Sequence, residues 1–166
     1  MFPKKKKIGT TKTGRAMVSI VLGSTSDIPH IERTKELLCR FGISYDVTVA
    51  SAHRTPARVE SFIRGLKSRG TCVVIACAGM AAHLPGAVAS RTDLPVIGVP
   101  IETKPLAGID SLLSIVQMPE GVPVGCMAIG RHGAANAAIF SAEILSLRYP
   151  AIRKKLNKYR NKNSRR

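Results

Sequence analysis

Cys72-Val-Val-Ile-Ala76 is an uninterrupted apolar run with Gly70 just before it. A strand with one face in water alternates apolar and polar residues; an unbroken run belongs to a strand buried on both faces, the habit of parallel sheets. The same reading extends outward in both directions. Upstream lie Val18-Ser-Ile-Val-Leu22, ending at Gly23, and Tyr45 to Val49. Downstream lie Pro95-Val-Ile-Gly-Val99 and Val124 to Ile129. Helical patterns fill the gaps. Residues 28–41 place Ile28, Ile31, Leu37, Leu38 and Phe41 at helical spacing, with Gly42 as C-cap. Thr55-Pro56 supplies an N-cap and a first-turn proline for a helix running to about Arg69. Shorter helices fit 84–91 and 108–117, the latter stopped by Pro119, and an Ala-rich helix fits 133–147. A basic helix over 150–162 carries Ile152, Leu156 and Tyr159 on one side.

Strand and helix alternate five times, so the expected fold is α/β. The pattern predicts a flavodoxin-like, doubly wound, parallel five-stranded sheet in three layers, α/β/α, with a C-terminal helix. Crossovers are expected to be right-handed. Ligands of such sheets sit outside the carboxyl ends of the strands, near the switch in strand order.

Composition narrows the possibilities. Of the 26 Lys and Arg residues, fifteen lie in 1–16 and 148–166, where there is no acid. The segment between holds 11 basic and all 10 acidic residues and is nearly neutral. That distribution disfavours a body built around nucleic acid, though basic arms could touch it in a salt-dependent way. Three segments are expected: a flexible basic tail over 1–16, a folded body over 17–148, and a basic helix and tail over 149–166. Met17 directly precedes the first strand and is a candidate start. No apolar run approaches the roughly 18–20 residues needed to span a bilayer. The N-terminus has no apolar stretch of the kind that marks a secretory signal, so a cytoplasmic location is expected. Cys39, Cys72, Cys77 and Cys126 sit apart in apolar runs and read as buried, reduced thiols. No spacing of ligands suggests a metal.

The strand-exit loops carry the chemistry. In Gly23-Ser-Thr-Ser-Asp27, small residues let backbone N–H groups approach an anion at a helix start. Ser24 and Ser26 can donate to phosphate, and Asp27 can accept from ribose hydroxyls; a plain helix cap uses the same residues. The loop lacks the patterns of an ordinary ATP or NAD site. Ser51-Ala-His-Arg-Thr-Pro56 gathers a hydroxyl, an imidazole and a guanidinium. Arg54 suits phosphate, and His53 supplies an imidazole, the side-chain type suited to proton transfer at carbon. Ala78-Gly-Met-Ala-Ala-His-Leu-Pro-Gly86 offers a close backbone wall, with His83 as ligand or as structural donor. Pro100 to Leu106 is the fourth exit loop. Gly133 and Asn136 could approach an anion or let helices pack; His132 reads as a surface residue. The apolar stretch Ser111 to Pro119 suggests burial at a subunit contact or under a neighbouring loop.

Six motifs stand in the order of one family: Gly23–Asp27, Ser51–Pro56, Ala81–Gly86, Leu94–Pro100, Asp110–Pro119 and Gly133–Ala137. Over about 18–147 the chain resembles the PurE family, the N5-carboxyaminoimidazole ribonucleotide mutases of purine synthesis, in its bacterial class. The resemblance implies transfer of a carboxyl group from N5 to C4 of the aminoimidazole ring through trapped CO2, with no metal, ATP or organic cofactor. It implies His53 as the general acid and base. It implies Ser24, Ser26, Asp27, Ser51 and Arg54 as nucleotide ligands, with Gly79, Ala81, His83 and Leu84 closing the site. Homo-octamers with sites at subunit contacts are also implied. A second class of the family carboxylates aminoimidazole ribonucleotide directly with CO2. Met80 departs from the pattern, which usually has Gly there.

Overall fold

The computed structural model describes residues 15–163. The tail expected over 1–16 lies outside the described residues except for its last two. Of these, Ala16 is buried and its amide donates to the Arg69 carbonyl at 2.9 Å.

The strands are β1 (Val18–Leu22), β2 (Tyr45–Val49), β3 (Val73–Gly79), β4 (Val96–Ile101) and β5 (Gly125–Cys126). They form one parallel sheet in the order β2-β1-β3-β4-β5. The helices are α1 (Glu32–Phe41), α2 (Pro56–Arg64), α3 (Leu66–Arg69), α4 (Leu84–Ala89), α5 (Ile109–Val116), α6 (Gly130–Ser146) and α7 (Pro150–Asn163).

Alternation along each strand divides the core in two. Val73, Ile75 and Cys77 of β3 join Ile20, Leu22 and Val99 under α1, α6 and α7. Val74, Ala76 and Ala78 turn the other way, with Val59 and Phe62 of α2, Val88 of α4 and Ile115 of α5. Both faces of β3 are thus dry, which is why its sequence is apolar without a break. β2 lies at the sheet edge, and after Tyr45 its residues are only half-buried. α7 is part of the first layer: Ile152 and Leu156 enter the core, and the Phe41 and Tyr159 rings meet edge to face at 5.4 Å.

Several elements differ from the sequence expectation. Thr25–Ile31 is a 3₁₀ helix containing Pro29, and the α-helix begins only at Glu32. Gly42 caps that helix in the left-handed conformation, as expected. The single helix expected over 56–69 breaks at Gly65, where the Arg69 guanidinium takes the Phe62 carbonyl at 2.8 Å. The fifth strand shrinks to Gly125–Cys126, because its pairing with β4 extends only from Ile97 to Gly98. Of the cysteines, only Cys77 is fully buried; Cys39 is exposed on the outer side of α1, and all four are free thiols. Burial pushes the Cys77 thiol far above its ordinary value.

Gly133 settles one of the open alternatives. An ideal Cβ there would stand 1.6 Å from the Ala128 carbonyl oxygen, so this glycine lets α6 fold tightly onto the segment before it. Replacing a helical glycine by alanine ordinarily gains about 1 kcal/mol. Here Gly133→Ala is expected to lose about 3 kcal/mol through forced backbone displacement. Urea unfolding checks this, and an unchanged or higher midpoint contradicts it.

Candidate active site

Register brings the strand ends level. Leu22 of β1 is paired with Val49 on one side and Cys77 on the other, and Cys77 is paired with Val99. The chain continues this row into the loops: the Gly23 amide donates to the Cys77 carbonyl at 2.9 Å, and the Ala50 amide to the Leu22 carbonyl at 2.8 Å. The loops after β1, β2 and β3 therefore start side by side at the strand-order switch, where they enclose a cavity of about 530 Å³. Ser24, Ser26, Asp27, Ser51, His53, Arg54, Gly79, Ala81, His83 and Leu84 all line it.

The first loop is a capping box. The Ser24 hydroxyl accepts from the Ser26 amide, and the Asp27 carboxylate accepts from the Ser24 amide at 2.9 Å. The Ser26 hydroxyl donates to the Ser24 hydroxyl at 2.8 Å. The cap and the cavity wall are thus the same residues. Asp27 is only 5% exposed, and burial raises its pKa. The Ser24 amide, the Ser26 hydroxyl and the nearby His30 and Arg54 oppose that rise without cancelling it.

The second loop is tied by Thr55, whose hydroxyl accepts from the Ser51 amide at 2.9 Å and donates to the Ser51 carbonyl at 3.2 Å. The Ser51 hydroxyl accepts from the Arg54 amide, and the Arg54 guanidinium donates to the Gly23 carbonyl at 3.3 Å. Arg54 thereby leans across the first loop. His53 extends toward the third loop, where its Nε2 lies 2.8 Å from Nδ1 of His83.

The third loop needs its small residues. A Cβ on Gly79 would come 2.9 Å from Cγ2 of Thr103 and 3.2 Å from the Ile101 carbonyl oxygen. Met80 has φ +57° and is 61% exposed. The position adopts a left-handed conformation that suits glycine, and a non-glycine residue there stores about 1–3 kcal/mol.

The structure adds Thr103, just beyond β4, to the wall. Its hydroxyl is buried without a protein partner. The one available signal was position, since Thr103 leaves a strand on the same rim as the other loops. The start of α6, Gly130–Ala137, contributes no residue to the cavity lining, and His132 is exposed as expected.

A polar first loop, an arginine and a pair of imidazoles meet at the switch point, the place where doubly wound sheets of this class take small-molecule ligands. The chain belongs to the AIR carboxylase family, whose model matches residues 17–166. It is 52% identical over 149 residues to an N5-carboxyaminoimidazole ribonucleotide mutase of Pyrococcus abyssi, covering 90% of this chain and 84% of that protein. It is 52% identical over 143 residues to the mutase of the same name from Thermotoga maritima, covering 86% and 82%. Among solved structures, Treponema denticola PurE superposes with a TM-score of 0.80 at 29% identity, covering 89% of this chain and 91% of that one.

The raised pKa of Asp27 has a stability consequence with a definite sign. Keeping this carboxylate ionised costs folding energy above its raised pKa, and that cost vanishes below the ordinary carboxylate value. Asp27→Asn is expected to raise the melting temperature at pH 8, with the gain fading as the pH falls toward 4. Thermal scans across that range check it; a gain that grows on acidification contradicts it.

Proposed function

We propose that this chain is an isomerase of de novo purine synthesis that converts N5-carboxyaminoimidazole ribonucleotide to 4-carboxy-5-aminoimidazole ribonucleotide. The observation that carries the proposal is the meeting of the three exit loops in one cavity, with His53 beside the anion-binding residues. Relatives of that name at about half identity over most of the chain support it. Arg54 and the Ser24–Ser26 loop hold the substrate phosphate, Asp27 the ribose hydroxyls, and Ser51 closes the pocket.

The chemistry follows from the pocket. The carbamate C–N bond breaks, its electron pair goes to nitrogen, and His53 protonates that nitrogen. CO2 is small and neutral, so only close, water-poor walls retain it. Gly79, Met80, Ala81, His83 and Leu84 form that side of the pocket. C4 then attacks CO2, and His53 removes the C4 proton. Neither a cofactor nor a metal enters this cycle.

A homo-octamer is part of the same proposal. Leu106, Ile109, Leu113 and Val116 expose an apolar face along α5 and its approach, with Leu113 54% exposed. A second copy of the chain would cover that face. Among the described residues no helix is long and apolar enough to cross a membrane; the cytoplasm is the proposed compartment. Nucleic acid has no place in the reaction.

Purified protein given the N5-carboxylated nucleotide without ATP is expected to form the C4-carboxylated isomer. Product formed only from aminoimidazole ribonucleotide at high bicarbonate would assign direct carboxylation instead. His53→Asn is expected to cut turnover by at least about 10³-fold while nucleotide binding, followed by calorimetry, stays nearly intact. Retained turnover in that variant would remove His53 from the chemistry.

A further inference from the structure

The two sides of α7 differ in chemistry. Ile152 and Leu156 are buried in the core, and Tyr159 packs edge to face on Phe41. The other side carries Lys154, Asn157, Lys158, Asn161 and Lys162, all exposed, which line one open groove along the helix. The three lysines are four residues apart, so each step rises about 6 Å along the axis. No acid follows Glu143 in the sequence, and Glu143 is itself paired with Arg160. Among the described residues none of the three lysines has an ion-pair partner. Like charges at this spacing repel and weaken a helix. Packing of the apolar side holds α7 in place against that repulsion, and an anion lying along the row would relieve it.

We propose that this side of α7 is a docking surface for the phosphodiester backbone of nucleic acid. A strand carries one negative charge per nucleotide at a regular interval, and evenly stepped lysines neutralise successive phosphates. The amides of Asn157 and Asn161, between them, donate to the same oxygens. Tyr159 is turned inward, so the row offers no aromatic ring for a base to stack on. Binding therefore runs through the backbone and is independent of base sequence. A lipid surface fits this face less well, because an interfacial helix inserts apolar side chains and those of α7 are already buried. A disordered acidic peptide offers no fixed interval of charge. No residue of α7 lines the cavity, so the contact tethers the protein without entering its chemistry, and the inference does not depend on the isomerase reading.

Anisotropy of a fluorescein-labelled oligouridylate of about 20 nucleotides, titrated with the full-length protein, tests this. The triple variant Lys154→Gln, Lys158→Gln, Lys162→Gln is expected to weaken binding at least about ten-fold at about 50 mM KCl. It is also expected to make the slope of log affinity against log salt shallower by about 2, the share of three phosphate contacts. Arginine at the same three positions is expected to keep both the affinity and the slope. Oligoadenylate is expected to bind within about three-fold of oligouridylate. Polyglutamate and vesicles of phosphatidylserine with phosphatidylcholine are expected to displace the probe poorly. An unaltered protein that does not bind at about 50 mM KCl overturns the proposal, as does an unchanged slope in the glutamine variant. Displacement by either competitor as effective as that by unlabelled oligouridylate overturns it too. So does binding that is lost when Lys4, Lys5, Lys6 and Lys7 are replaced by Gln but kept when the α7 lysines are.

Discussion

The row Leu22, Val49, Cys77 and Val99 is the constraint on which the rest depends. Parallel pairing points every strand the same way, and register ends them at one height. β1 lies between β2 and β3, so the chain leaves β1 toward one face of the sheet and β2 toward the other. A gap must open where the loops part, and its depth is set by how closely they can approach. Gly79 sets that limit on one side through Thr103 and Ile101. Far from the cavity, Gly133 allows the tight turn by which α6 covers the first layer.

The groups that hold this rim together also face the cavity. The Asp27 carboxylate closes the capping box and also faces the cavity. Burial disfavours its charge, and hydrogen bonds from the Ser24 amide and the Ser26 hydroxyl work against that penalty. The Ser51 hydroxyl similarly completes the turn that positions His53 and Arg54. Such residues are costly to the fold when charged and unsatisfied, yet a ligand phosphate or ribose would find them already oriented. Met80 is a different kind of cost, a side chain held in a glycine conformation at the cavity mouth.

Charge separates the chain along other lines. The body that holds the cavity is nearly neutral, while the basic surplus lies at the two ends. Within the described residues, that surplus decorates α7, whose apolar side packs on α1 and α6. Arg160 pairs with Glu143 of α6, and Arg40 stacks on Tyr159. The cations of this helix serve its docking and its exposed surface, at a distance from the chemistry.

Strand identity, the parallel sheet and its layers were legible in the sequence because burial on two faces leaves an unbroken apolar run. The exit loops were legible because Gly, Ser, His and Arg gather where the strands end. Apolar spacing did not show that Thr25–Ile31 is a 3₁₀ helix, capped by Ser24 and containing Pro29, because its apolar positions also fit an α-helix. Nor could it shorten β5, whose length depends on how far β4 offers partners. Thr103 carries no motif, and only the closeness of β4 to β3 brings it to the wall. The sequence by itself determined which chemical groups were available and on which rim of the sheet they lie. Only the tertiary structure decided that ring nitrogens of two histidines thirty residues apart come within 2.8 Å. That contact joins two loops across the cavity, and no periodicity along the chain encodes a distance between loops.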